Sequence, residues 1–125
     1  MWRKPDRYKA VITNFKSGKL VDLAFESLNK NEVRVQIHAA PINPSDKNMV
    51  QGIYGEQGEG VGFEGSGKVV EVGEGVDKAL IGKKVGIMGM LGMPGYTGTW
   101  REYCTTGIDN LMVFPDSAVY EQIAS

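Results

Sequence analysis

The sequence predicts a mainly β domain, a compact antiparallel barrel with one or two short helices. Three observations lead there. Short β-branched runs recur along the chain, separated by turn residues. Glycine is in excess, with 17 in 125 residues, most of them between Gly52 and Gly107. At that density between β-branched runs, glycines mark tight turns, bulges and close backbone approaches. The length suffices for one core, but not for a full dinucleotide-binding domain beside a substrate domain.

Residues 8–13 read as a first strand, Ser17-Gly18 as a turn and residues 19–24 as a second strand, together a hairpin. Asn29-Lys30-Asn31 interrupts the pattern. The clearest strand follows. Val33, Val35, Ile37 and Ala39 alternate with Arg34, Gln36 and His38, so period two places the first set in the core and the second outside. Two prolines in Ala40-Pro41-Ile42-Asn43-Pro44 forbid regular helix or central strand, and Ser45 caps a short helical turn over 45–50. Residues 52–62 form a polar, glycine-broken loop that holds Tyr54. Residues 67–72 and 83–88 are strands, with Gly73-Glu74-Gly75 turning the first. A long Gly/Met loop spans 89–98, residues 99–104 form a strand, and 111–113 a last short one stopped by Pro115. Residues 117–124 open a helix that is marginal with nothing to pack on.

Composition excludes several function classes. Lys and Arg number 14 against 15 Asp and Glu, a net charge of −1, so no field draws the chain to nucleic acid or an anionic membrane. No apolar run approaches the roughly 18 residues of a membrane span. The single Cys104 forms no internal disulfide, and with the single His38 it makes no Cys/His metal cluster.

Two phosphate-binding patterns occur, each in the wrong setting. Gly60-Val61-Gly62-Phe63-Glu64-Gly65 satisfies G-x-G-x-x-G, a pattern that requires a strand before it and a helix N-terminus after it. Here a polar glycine loop precedes and a β-branched run follows. Residues 62–68 satisfy G-x-x-x-x-G-K, yet Val69 stands where the Ser or Thr of a P-loop binds magnesium. A glycine-rich turn entering a strand accounts for both.

Four stretches carry a resemblance. They are Ala40-Pro41-Ile42-Asn43-Pro44-Ser45-Asp46, Met49-Val50-Gln51-Gly52-Ile53-Tyr54-Gly55, Gly62-Phe63-Glu64-Gly65-Ser66-Gly67-Lys68-Val69-Val70-Glu71-Val72-Gly73, and Gly98-Thr99-Trp100-Arg101-Glu102-Tyr103. Their order and spacing resemble the N-terminal, GroES-like domain of the zinc-independent medium-chain dehydrogenase/reductase superfamily over nearly the whole chain. Within it the chain is most similar to mitochondrial 2-enoyl thioester (trans-2-enoyl-CoA) reductases, and next to quinone oxidoreductases. The third stretch has the look of a superfamily signature; the other three carry the subfamily resemblance.

The resemblance implies a partly open, GroES-like antiparallel β-barrel. Val113-Phe114-Pro115-Asp116 resembles the point where such enzymes cross into their nucleotide-binding domain. Residues 1–116 would then form the GroES-like domain, and 117–125 the start of a linker helix toward a nucleotide-binding domain absent from this chain. The implied activity is NADPH-dependent reduction of the C=C bond of 2-enoyl thioesters, with a quinone substrate as the alternative. The fragment alone would not be competent, because hydride transfer needs a nicotinamide held in place. A rival from another class is a binding or assembly module that lost its cofactor half. The compartment is left open between mitochondrial and cytoplasmic, with no targeting segment visible. An exposed apolar docking face, including part of 119–124, is expected, and with it self-association.

The resemblance also implies site residues. Tyr54 matches the proposed proton donor of the enoyl reductases; the plainer reading is a loop tyrosine packing its ring. Asn43 lies in a segment that faces the nicotinamide, although an Asn-Pro turn also has a purely structural use. Trp100 is assigned to the substrate cleft, while an aromatic at the head of a strand packs by default. No zinc is expected, because Asn43 and Phe63 stand where zinc-dependent relatives carry cysteine and histidine. The loop from Tyr54 to Glu64 is shorter than in the enoyl reductases and lacks their prolines, which leaves acyl-chain specificity open. Met88, Met90 and Met93 either line an adaptable apolar groove or fill an exposed loop.

Overall fold

The computed structural model describes residues 2–13, 18–40, 62, 64–89 and 97–123. The predicted turns at 14–17, 41–61 and 90–96, with the short helix expected at 45–50, lie outside these residues, as do Asn43, Tyr54, Met90 and Met93.

Two antiparallel sheets form the domain, and they do not close into a complete barrel. The small sheet pairs β1 (Arg7–Thr13) with β2 (Gly18–Ala24). The large sheet contains β3 (Glu32–Ala39), β4 (Glu64–Val72), β5 (Lys84–Met88), β6 (Tyr103–Gly107) and β7 (Leu111–Phe114), in the order β6-β3-β4-β5-β7. A single α-helix is present among the described residues, α1 (Tyr120–Ile123).

The predicted alternation in β3 holds on one face only. Val33 and Val35 are fully buried and join Val69, Val85, Ile87 and Cys104 in an aliphatic core. Arg34, expected outside, is 1% exposed. Its guanidinium bonds the Glu71 carboxylate and the Glu26 backbone oxygen, and lies 4.9 Å from the Phe25 ring centre. The small sheet lies over that end of the large one, so the second face of β3 meets protein instead of water.

The two sheets are joined where the predicted 99–104 strand was placed. The regular strand begins only at Tyr103. Before it, Arg101 bridges to Ala10, Val11 N–H donates to Trp100 O (2.8 Å), and Glu102 N–H donates to Lys9 O (2.9 Å). Residues 100–102 therefore satisfy backbone groups of β1 and leave the regular ladder of β6.

β4 starts at Glu64, earlier than expected, so the glycine-rich 64–67 stretch is strand and not turn. Gly67 is required there: a Cβ at this position would stand 2.0 Å from Gln36 O and 2.8 Å from Val35 Cγ1. Both phosphate-binding patterns thus run into a strand, with no helix following.

The tail also departs from expectation. Residues 115–118 turn, with Ala118 N–H donating to Pro115 O, and helix is confined to α1. It does find something to pack on. Ser66 Oγ donates to Tyr120 O (2.6 Å), Lys84 Nζ donates to Ala118 O (2.7 Å), and the His38 ring stacks on Tyr120 at 4.2 Å. Ile123 lies over Gly86, whose missing side chain makes room for it.

Candidate functional site

One end of the large sheet holds the described residues that flank, in sequence, the stretch carrying Asn43 and Tyr54. β3 ends at Ala39, and Gly62 and Glu64 lead into β4, with Ala39 and Ser66 opposite one another. The stretch carrying Asn43 and Tyr54 is therefore entered and left at the same end of the sheet. Neither residue is among those described.

Trp100 is described, and it stands at this end. Gly62, at φ +102, sits against it: a Cβ there would lie 2.8 Å from Trp100 Cδ1 and 2.3 Å from Thr99 Oγ1. Thr99 is buried, and its hydroxyl donates to Glu64 O at 2.6 Å. The Trp100 indole ring is only partly buried, yet its Nε1 is shielded from solvent and has no hydrogen-bond partner among the described residues. Sequence reasoning passed over Thr99 and Gly62 as supports of this corner, although Gly62 opens the third of the stretches that carry the family resemblance and Thr99 lies in the fourth.

Behind Trp100 lies a layer that sequence reasoning did not anticipate. Arg101 Nη1 donates to Tyr8 Oη (2.9 Å), and Tyr8 Oη donates to Glu26 Oε2 (3.1 Å). Thr105 Oγ1 donates to Glu26 Oε1 at 2.5 Å. Burial pushes the Glu26 carboxyl up, but hydrogen bonds from Thr105, the backbone and Tyr8, with the Arg34 charge nearby, outweigh it and hold the group below its usual range. Burial raises the Tyr8 phenol. No local pattern links residues 8, 26, 34, 101 and 105, so only the packed sheets reveal the network.

The remaining candidates separate. Cys104 is fully buried in the aliphatic core, and burial pushes its thiol up to about 12, the state of an inert small hydrophobe. His38 is exposed and stacks on Tyr120 of the tail; burial of its ring, then Lys68 and Lys84, outweigh Glu121 and lower its pKa. No group of three potential metal ligands occurs among the described residues. Met88 lines a groove of about 420 Å³ with Glu64, Gly86, Met112, Phe114 and Ile123. Trp100 is not part of that groove.

Comparison with known proteins places this arrangement. Residues 29–116 match the model of the alcohol dehydrogenase GroES-like domain. The chain is 36% identical over 130 residues to the mitochondrial enoyl-[acyl-carrier-protein] reductase of Bos taurus, covering 98% of this chain and 34% of that protein. Identity to the Homo sapiens enzyme of the same name is 33%, with the same coverage. The chain thus spans about a third of the length of the curated relatives it matches. Among solved structures, a quinone oxidoreductase from Coxiella burnetii superposes with TM-score 0.76 at 29% identity, covering 94% of this chain and 40% of that one. Acetophenone reductase from Geotrichum candidum, in complex with NAD, superposes with TM-score 0.84 at 22% identity over 98% of this chain and 44% of its own, a likeness of fold alone. No helix among the described residues is long and apolar enough to cross a membrane. The open two-sheet architecture, the glycine-rich β4 and the matched stretch agree: this chain belongs to the alcohol dehydrogenase GroES-like domain family, within the medium-chain dehydrogenase/reductase oxidoreductases.

Proposed function

We propose that the chain is the substrate half of an NADPH-dependent oxidoreductase that reduces the C=C bond of 2-enoyl thioesters. The observation that carries this reading is the similarity to mitochondrial enoyl-[acyl-carrier-protein] reductases over 98% of the chain. Tyr54 is the proton donor in this reading. A phenol has an ordinary pKa of about 10, so it must be oriented and hydrogen-bonded to donate near neutrality. Asn43 makes a polar contact toward the nicotinamide, and Trp100 forms part of the cleft wall. No zinc takes part, since Asn43 and Phe63 offer neither thiolate nor imidazole.

The described residues do not fit the cofactor's pyrophosphate. The glycine pattern leads directly into β4, and no helix N-terminus follows to receive phosphate. The cofactor is therefore assigned to the rest of the enzyme, beyond a boundary near residue 116 from which the turn at 115–118 leads into α1, and the chain alone is not competent. Met88 and Met112, on the same side of the β5–β7 pair, and Val119 ahead of α1 are about half or more exposed. They form the face on which the rest of the enzyme seats, or through which copies of the chain associate.

The similarity to a quinone oxidoreductase at 29% identity favours a second reading, quinone reduction. Tyr54→Phe in the complete enzyme separates the two. It keeps the ring and removes the hydroxyl, so enoyl-CoA turnover falls about 10²–10⁴-fold, roughly 3–5 kcal/mol of barrier, while NADPH binding holds. Turnover within a few-fold of wild type would return Tyr54 to a packing role. Quinone reduction would then gain, because solvent can protonate a reduced quinone.

A further inference from the structure

The tail crosses the large sheet and is fastened to three of its strands. On β3 the His38 ring stacks on Tyr120, with centres 4.2 Å and planes 7° apart. On β4 the fully buried Ser66 donates through Oγ to Tyr120 O at 2.6 Å. On β5 Lys84 Nζ donates to Ala118 O at 2.7 Å and lies 4.8 Å from the Tyr120 ring centre. Ile123 then covers Gly86 and forms one wall of the groove that Met88, Met112 and Phe114 also line. A helix of four residues has no stability of its own, so the tail stays where these contacts hold it.

One of these fastenings involves a group that titrates near neutrality, the imidazole of His38. The charged groups that face it are Lys68 from β4, Lys84 from β5 and Glu121 from α1. Asp116, in the turn before α1, acts on Tyr120, whose phenol is raised by burial and stays neutral. Two cations against one carboxylate disfavour a third cation at this spot. The Tyr120 ring already has the Lys84 ammonium over it, which reduces what a second cation would gain there.

We propose that the tail is a proton-operated strap: neutral His38 holds Tyr120 by flat stacking, and a proton on His38 loosens the tail and uncovers the Gly86 floor of the groove beside Ile123. The sign follows from the cover that docking imposes. The Tyr120 ring shields one face of the imidazole, and burial is the main influence lowering the His38 pKa, ahead of Lys68; Glu121 opposes it. The docked tail therefore binds fewer protons than a released one. Its hold is fully present above the ordinary histidine value of about 6.5 and is lost as pH falls through the lower, docked value. The Ser66 hydrogen bond and the Ile123 contact carry no titratable group, so the strap loosens without detaching altogether.

The test follows the full chain by NMR. His38 is the sole histidine, so its ring titration is read without ambiguity. Tyr120→Ala uncovers the imidazole and should raise its pKa toward the ordinary value. The Ile123 amide, bonded to Val119 O, reports the tail through its exchange with solvent, divided by the intrinsic rate at each pH. From about pH 7.5 to about pH 5 that protection should fall, approaching a factor of ten raised to the difference between the two measured His38 pKa values. The Val35 amide, within β3, should keep its protection, which marks the loss as the tail's own. His38→Phe keeps a ring to stack and takes no proton, so its tail should hold level across the same range. Protection that stays level in the wild type, or that falls equally in His38→Phe, would overturn the strap. So would a His38 pKa that Tyr120→Ala leaves unchanged or lowers.

Discussion

The large sheet carries a different kind of core on each face, and β3 contributes to both. Val33 and Val35 point into a cluster closed by Val69, Val85, Ile87 and Cys104, with no charge inside it. Arg34, between them in sequence, points into a layer of Tyr8, Phe25 and Tyr103 bound together by Glu26, Glu71, Thr105 and Arg101. The aliphatic core is held by the area it removes from water. The aromatic–polar layer is held by hydrogen bonds and ion pairs, so its stability depends on each partner being present and correctly ionised. The second kind of core stands behind Trp100, where a fixed backbone matters more than a deep hydrophobic contact.

The largest expected effect breaks the polar layer. Arg34→Ala takes the buried guanidinium from the Glu26 carbonyl and from the Glu71 carboxylate, which keeps only the more distant Lys4 at 3.6 Å, and should cost about 3 kcal/mol, read as a shift in the urea midpoint. Partial exposure of Glu71 keeps the value at the lower end of what buried pairs show. A loss under about 1 kcal/mol would mean that the face behaves like an ordinary surface.

Val35→Ala tests the other face. Removing two buried methyl groups and leaving a void should cost about 2 kcal/mol. Because no titratable group is involved, that loss should be the same at every pH where the wild type is folded. A strongly pH-dependent loss would show the two cores to be energetically one.

Glu26→Gln sharpens the contrast through pH. The folded Glu26 carboxyl titrates below its ordinary 4.5. Its ionised form therefore stabilises the fold above that value, and the contribution is lost as pH falls through the lower, folded value. Urea midpoints should separate wild type from variant at neutral pH, and the gap should close on acidification. A gap that widens toward acid would reverse the assigned direction.

The smallest effect concerns chemistry rather than stability. Cys104, inside the aliphatic core and with its thiol pushed up to about 12, should react with a disulfide reagent only after denaturant is added. Stoichiometric labelling of the native chain would place the thiol at a surface that the fold does not show.

Period-two alternation, turn residues and glycine density were enough to read most of the strands, the pairing of β1 with β2 and an antiparallel β class, because these depend on neighbours along the chain; the open form came from the family resemblance. They also excluded a phosphate cradle at 60–68, since a β-branched run follows the glycines. Trp100 was legible as a candidate through the Gly98-Thr99-Trp100 stretch, but its unpaired indole was not. That property depends on Val11, Gly62 and Thr99, which are brought together only by folding.

Tertiary structure alone decided which polar residues lie inside. Arg34 obeys the same alternation as Gln36 and His38, yet it is buried and His38 is exposed. The difference comes from the segment that follows β2, whose Phe25 and Glu26 lie against Arg34, while His38 meets the Tyr120 ring. Likewise, residues 100–102 have the composition of a strand continuing into β6, but their backbone groups meet β1. A sequence specifies which face of a strand a residue occupies; what lies against that face is set by a second sheet that local periodicity does not encode.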